Sequence, residues 1–524
     1  MWRRPSSRTV IVSGAVALFV VCCLLPIGYL LFLSLSGADA AYAAVWLDAR
    51  QRGLLWNTAL LGTGTALLAT AIGAPLGLAL ARIALPRKGL LRLALTAPVL
   101  LPPYIVALAW TYLGSSRGLV AGLAGRDVLA EWTYSEPAAV VVLSLVFYPL
   151  AMLATEAALR LLDGRLEEAA AVVASPGRVL WRITVPLVAP SIFAAALVIF
   201  VLAISEFGVP GLLRVRVYTT EVFTAFAALY DFGRAIVMAL PLLGLCLAVA
   251  VLAAAILGER LSSTRRGSAR PPAVFDAWRR PAAMAATVVV VVALGVPLVV
   301  LFCEAMDAQS WWAVVDGSGD AIVNSLLFAT AGATAVVSLA LWLGYARARA
   351  PGRIGQLADV LLLVVFAVPS TIVGVGLIGL WNRPGLLGTV YGTDAMFLLA
   401  HLARFVPVAA LALAASTRYV PVSHEEAAAV AGAGWLRIMS RIVVPQIRLG
   451  VVAAWVIAFI LAFGELGVSI LVAPPGEATL PIRIYTIIAN TPSSHVAVLA
   501  LLQAAVIFVP LAVLGAVASV REAR

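Results

Sequence analysis

Two stretches of this 524-residue sequence decide how the rest is read: LEEAAAVVASPGRVLWRITVP, Leu166–Pro186, and HEEAAAVAGAGWLRIMSRIVVP, His424–Pro445. Each opens on paired acids, Glu167–Glu168 or Glu425–Glu426, followed by alanines from Ala169 and Ala170 or from Ala427 and Ala428. Acids at the start of an alanine-rich segment favour a helix by meeting the positive end of its dipole. Pro176–Gly177 in the first stretch and Gly432–Ala433–Gly434 in the second then break that helix. A second short, basic helix is expected to run to Pro186 or Pro445, where a long apolar run begins. The pattern predicts a helix-turn-helix lying on a membrane face and presenting a small, smooth knob. The first copy is one residue shorter and has no counterpart of Gly432.

The duplication extends beyond these loops. Asn57, Gly77 and Pro102 recur as Asn324, Gly344 and Pro369 at one offset, and Pro149, Glu168 and Ala169 as Pro407, Glu426 and Ala427 at a slightly smaller one. Ser205–Gly208 (SEFG) matches Gly464–Gly467 (GELG). Such ordered recurrence marks an internal repeat. It divides the chain into a half at 1–257 with its loop at 159–186, a basic linker at 258–281, and a half at 282–524 with its loop at 417–445.

The solvent of both halves follows from composition. Residues are 63% hydrophobic and 12% charged, with a mean hydropathy of +1.06, which places most of the chain in lipid. Runs long enough to cross a bilayer lie near 9–35, 54–81, 89–113, 137–158, 187–209 and 233–257. A second set lies near 282–303, 322–346, 358–380, 395–416, 446–472 and 495–519. The expected fold is an all-α polytopic membrane protein of about twelve helices. Six spans per half give both halves the same orientation, related by a pseudo-two-fold axis along the membrane normal. With the N-terminus inside, 26 of the basic residues fall in inside segments and 9 outside, with Arg404 within a span. That bias predicts both termini in the cytoplasm. The first apolar run is longer than the apolar region of a signal peptide and is read as an uncleaved helix. The net charge of +11 comes from arginines spaced between apolar runs, which points to lipid headgroups and excludes nucleic acid as partner. Cys22, Cys23, Cys246 and Cys303 all sit in apolar stretches and are read as packing residues, with no metal-ligand spacing.

The two opening stretches resemble the EAA loop of ABC importer permeases, and the resemblance extends over most of both halves. It implies a type I ABC importer permease with both loops in one chain, in a bacterial-type cytoplasmic (inner) membrane. The partners implied are two ABC ATPase subunits bound at the loops around Glu168 and Glu426, and an extracytoplasmic solute-binding protein. The chain's one lysine, Lys88, lies in Leu-Pro-Arg-Lys-Gly and cannot form the phosphate-binding GxxxxGK[ST] loop. No cofactor is therefore expected on this chain, ATP being held by the partner. Among fused two-loop permeases the chain is most similar to the ferric iron (Fbp-like) group, through LPPY at Leu101–Tyr104 and SEFGVP at Ser205–Pro210. Thiamine and phosphonate permeases share the architecture.

Polar residues within the spans are candidates for the pathway. Glu206 and Glu465 occupy equivalent places near the outer ends of spans five and eleven, where an ionised group is costly unless it meets a cavity or a partner. They either line the pathway or its gate, or cap a neighbouring helix. Arg404 either meets the solute or pairs with an acid such as Glu465; its first-half counterpart is Val146. Pro102, Pro103 and Pro369 fall at matching points of spans three and nine, as passive kinks or as hinges. Two other classes compete. A major-facilitator-type secondary transporter also has twelve spans, but the duplicated loops would serve no purpose in it. A membrane-embedded enzyme needs clustered polar residues, whereas His401, His424 and His495 are scattered.

Overall fold

The computed structural model describes residues 7–36, 48–114, 126–162, 164–261 and 278–522. The central part of the basic linker, 262–277, and Arg3, Arg4 and Arg524 lie outside the described residues. Long helices dominate: α1 (Ser7–Ser34), α2 (Ala49–Arg82), α4 (Glu136–Leu161), α5 (Pro176–Ser205), α6 (Phe232–Leu261), α7 (Arg279–Met306), α8 (Gly319–Arg349), α10 (Ala395–Arg418) and α12 (Ser493–Glu522). The third span of each half is broken. Lys88–Leu100 (α3a) meets Pro103–Gly114 (α3b) at 90°, and Gly352–Ala367 (α9a) meets Ser370–Trp381 (α9b) at 92°. The eleventh span, α11 (Arg448–Phe463), is bent by 76° from the helix Trp435–Gln446 before it. The described helices thus form up to twelve spans, the all-α architecture of two homologous halves.

Prolines shape these helices in two ways. At four prolines that stay inside a continuous helix, a π-turn comes first: Val20–Leu24 before Pro26, Leu180–Thr184 before Pro186, Val291–Gly295 before Pro297, and Met439–Val443 before Pro445. The wider turn takes up the clash of the proline ring with the preceding carbonyl. Where the residue before proline turns extended, the helix ends. Leu101 has ψ 135° and Val368 ψ 126°, the region a following proline favours. Pro102, Pro103 and Pro369 are therefore not at kinks but at right-angle breaks. Pro186, expected to end a separate basic helix, lies within the continuous helix α5 because its π-turn carries the helix past it. The spans expected at 187–209 and 446–472 end sooner, at Ser205 and Phe463.

Close packing rests on small residues, since lipid offers no apolar driving force between helices. In the first half α2 lies along α4, and in the second α8 lies along α10. A Cβ on Gly77 would overlap the Met152 carbonyl oxygen, and one on Gly344 would sit 2.9 Å from the Ala410 carbonyl oxygen and 3.0 Å from the Ala414 nitrogen. The first span of each half reaches across to the other half while keeping contacts in its own. α1 packs on α8, α9b and α10, while α7 packs on α3a, α3b and α4. The two halves therefore brace each other, with Phe19, Cys22 and Cys23 buried in a core built mainly from the second half. Cys303, by contrast, is exposed. Outward faces carry exposed Val16, Phe32, Leu67, Val288, Val299 and Leu327, a surface suited to acyl chains.

Candidate functional site

The repeated loops adopt the expected helix-turn-helix. The first has a helix at Gly164–Ala171 and a second beginning at Pro176; the second has Val422–Val430 and then Trp435–Ile438. Gly432 is left-handed, with φ +82°, and lets the Ala433 N–H reach back to the Ala428 carbonyl, the closure that a glycine after a helix allows. The shorter first loop closes instead through Val173 and Ala174 N–H bonds to the Ala170 carbonyl.

Within each acid pair the two side chains differ. Glu167 is buried: it accepts a hydrogen bond from the Thr184 hydroxyl at 2.7 Å and lies 2.8 Å from the Arg82 guanidinium in an ion pair. Glu425 accepts from the Tyr345 hydroxyl at 2.7 Å and from Arg349 at 2.6 and 2.9 Å. Arg82 and Arg349 both end the second span of their half, so the same tie fastens each loop to the same helix. Glu168, Ala169, Glu426 and Ala427 face outward and are exposed, as are Gly177, Pro186, Gly432 and Pro445. Val172 and Val430 stand at equivalent tips, 83% and 90% exposed.

A second ionic tie joins the broken span to the helix leading into each loop, with its charges exchanged between halves. In the first half Glu156 of α4 is buried between Arg92 of α3a at 3.0 Å and Arg160 at 2.6 Å. In the second half the acid sits on the broken span: Asp359 of α9a pairs with Arg347 of α8 and approaches Arg418 of α10 at 3.9 Å.

At the other end of these elements the breaks and the SEFG/GELG turns meet. Glu206 accepts from the Gly208 N–H at 2.9 Å and Glu465 from the Val468 N–H at 3.0 Å, so both cap the short segment that follows. Arg404 donates to the Val368 carbonyl at 2.7 Å, the carbonyl freed by the break at Pro369, and lies 3.9 Å from Glu465. A Cβ on Gly464 would meet Pro102 of the other half at 2.7 Å, and one on Gly208 would meet the Tyr104 Cβ at 2.8 Å. Ser205 in turn approaches the Ala367 carbonyl of the second half at 3.5 Å. The end of each fifth span thus abuts the break of the opposite half. Tyr104 is tied to Gln503 of α12, which also donates to the Phe463 carbonyl at 3.2 Å. Phe207, Phe223 and Tyr485 cluster at ring distances of 4.5 and 5.6 Å, bringing the short helices of both halves together.

Sequence reasoning missed the two ties. Arg82 and Arg349 counted only as charge, although they share the offset that relates Gly77 to Gly344. The Glu156 and Asp359 networks escape any comparison of equivalent positions, because the acid changes helix. Among the described residues no three His, Cys, Asp or Glu come together as a metal site.

Comparison with known proteins agrees with this geometry. Residues 73–263 and 336–520 each match the family model of the binding-protein-dependent transport system inner membrane component. The chain is 23% identical over 451 residues to the Fe(3+)-transport system permease protein FbpB 2 of Haemophilus influenzae, covering 83% of this chain and 84% of that one. It is 22% identical over 435 residues to the ferric transport system permease protein FbpB of Actinobacillus pleuropneumoniae, covering 78% of this chain and 62% of that one. The molybdenum transport system permease protein ModB of Mycobacterium tuberculosis is 28% identical over 258 residues, covering 47% of this chain and 95% of its own. With both halves matched, the chain belongs to the family of binding-protein-dependent transport system inner membrane components: it is a polytopic ABC-importer permease for a solute delivered by a binding protein, and ATP hydrolysis belongs to separate subunits.

Proposed function

We propose that this permease imports ferric iron. The observation that carries the reading is the extent of similarity: FbpB 2 aligns with both halves in one chain, whereas ModB aligns with a single half. Uptake of labelled ferric iron and of labelled molybdate is measured in cells deleted for the chain and complemented with it. Restored iron uptake with unchanged molybdate uptake is expected. Restored molybdate uptake, or rescue of thiamine or phosphonate uptake alone, would sink the iron assignment and leave the permease intact.

In this reading the two halves at 1–257 and 282–524, joined by the linker 258–281, work as one machine. Both termini and both loops lie in the cytoplasm, and Glu168, Ala169, Val172, Glu426, Ala427 and Val430 face the two ATPase subunits. Closure of the ATPases moves the loops together. Glu167–Arg82 and Glu425–Arg349 pass that motion to α2 and α8, and the Glu156 and Asp359 networks pass it to α3a and α9a. The breaks at Pro102–Pro103 and Pro369 then act as hinges that separate from Gly464 and Ser205 and open the way for the solute. Glu206, Glu465 and Arg404 hold the closed arrangement rather than bind the solute, since each is engaged by backbone or by a neighbouring charge. Arg404→Gln, which leaves the Val368 carbonyl and Glu465 with weaker partners, is expected to lower uptake about tenfold, the effect of ~1.4 kcal/mol. Uptake at the wild-type rate would remove Arg404 from the gate.

A further inference from the structure

We propose that the groove between α1 and the end of α8 binds one anionic phospholipid, with its phosphate at Arg8 and an acyl chain along Val12 and Val16. The groove measures about 620 Å³ and is lined by Arg8, Thr9, Val12, Val16, Arg349 and Pro351, among others. That lies within the ~300–1,000 Å³ of small-molecule sites. Its two ends differ in chemistry. One is cationic. Arg349 is committed to Glu425 and the Val420 carbonyl, which leaves Arg8, exposed and 5.7 Å from the centroid of the Tyr345 ring, as the cation at the mouth. The other end is apolar and open, with Val16 exposed on the outer face of α1. A cationic mouth above an apolar trough between two membrane spans complements a phosphate carrying an acyl chain, and the bilayer supplies that molecule.

The corresponding place in the other half is packed differently. There α7, the counterpart of α1, packs onto the helix Lys88–Thr96 and onto α2. The Tyr345 ring under Arg8 also donates its hydroxyl to Glu425, so a phosphate at Arg8 lies beside the anchor of the second loop and not of the first. Placing the groove at the cytoplasmic leaflet, where anionic lipid is attracted by basic residues, rests on the orientation proposed above.

The test uses the purified full-length chain in detergent. It is incubated with dioleoylphosphatidylglycerol or dioleoylphosphatidylcholine, and retained lipid is counted by native mass spectrometry. One phosphatidylglycerol retained in preference to phosphatidylcholine is expected. Arg8→Gln lowers that retention about fivefold, the effect of one basic residue near an anionic lipid, and Arg8→Lys preserves most of it. Val16→Trp fills the trough and removes retention while Arg8 is still present. Equal retention of phosphatidylglycerol by wild type and Arg8→Gln would overturn the site, as would equal retention of the two lipids by wild type. Because the readout is lipid bound to the isolated chain, it is independent of which solute is carried and of whether the loops bind ATPases.

Discussion

Arg82→Ala is expected to reduce ATP-driven uptake by two orders of magnitude or more, and Arg349→Ala to do the same through the second loop. The reason is the burial of Glu167. Its carboxylate and the Arg82 guanidinium are each about 6–7% exposed, and removing one member of a buried pair leaves an uncompensated charge at a cost of about 3–5 kcal/mol. At ~1.4 kcal/mol per tenfold, that shifts the loop from its anchored to a detached position by a factor of hundreds or more. A detached loop does not pull α2 when the ATPase closes. The paired change Arg82→Ala/Glu167→Ala removes the orphaned charge and is expected to recover the fold of the loop but not the tie to α2. Thermal stability should therefore return to near wild type while uptake stays low. The two readouts are melting of the purified chain and uptake in complemented cells. Wild-type uptake in Arg82→Ala would show that the loop does not transmit motion through α2.

Gly77 carries the other large effect. Its α-carbon lies against the backbone of α4, where an added Cβ would overlap the Met152 carbonyl oxygen and stand 2.8 Å from the Thr155 Cβ. No rotamer of a new side chain relieves a clash with backbone, so the helices must separate. Overpacking ordinarily costs ~1–3 kcal/mol, and Gly77→Ala is expected at the upper end of that range or beyond. Gly344 differs by degree. Its nearest contacts would be at 2.9–3.0 Å, a distance that a shift of a few tenths of an ångström relieves. Gly344→Ala is expected to fold with a modest loss, whereas Gly344→Val and Gly77→Ala both sharply reduce the monodisperse chain recovered from membranes. Equal recovery of Gly77→Ala and wild type would show that α2 and α4 do not pack this closely.

These contrasts mark what a sequence yields for a membrane protein. Spans were legible because crossing lipid demands about 20 apolar residues, and the repeat was legible because Gly77, Pro102 and Glu168 each have a partner at a near-constant offset. The loop architecture followed from Glu167–Glu168 and the breakers after them. The reach of α1 and α7 into the opposite half was not legible. Helix contacts in lipid depend on small residues such as Gly376, whose Cβ would meet the backbone of Pro26, and an apolar run looks the same whichever neighbour it takes. Pro102 and Pro369 announced a disturbance but not its angle, which is set by the extended residue before each. Arg82 and Arg349 were visible only as charges, because a partner 85 or 76 positions away leaves no local pattern, and the Glu156 and Asp359 networks were not legible because the acid sits on a different helix in each half.

The central claim is that the two loops couple this permease to ATPase subunits through their exposed faces. Glu168→Lys/Glu426→Lys tests it most directly, because both side chains are exposed and their exchange leaves the buried anchors Glu167 and Glu425 in place. Labelled ferric iron uptake would be followed in iron-starved deletion cells carrying either the wild-type chain or the double variant, each confirmed in the membrane. Rescue by the wild type with uptake by the variant at the level of the deletion is the predicted result. Equal rescue by both chains would contradict the coupling role of the loops.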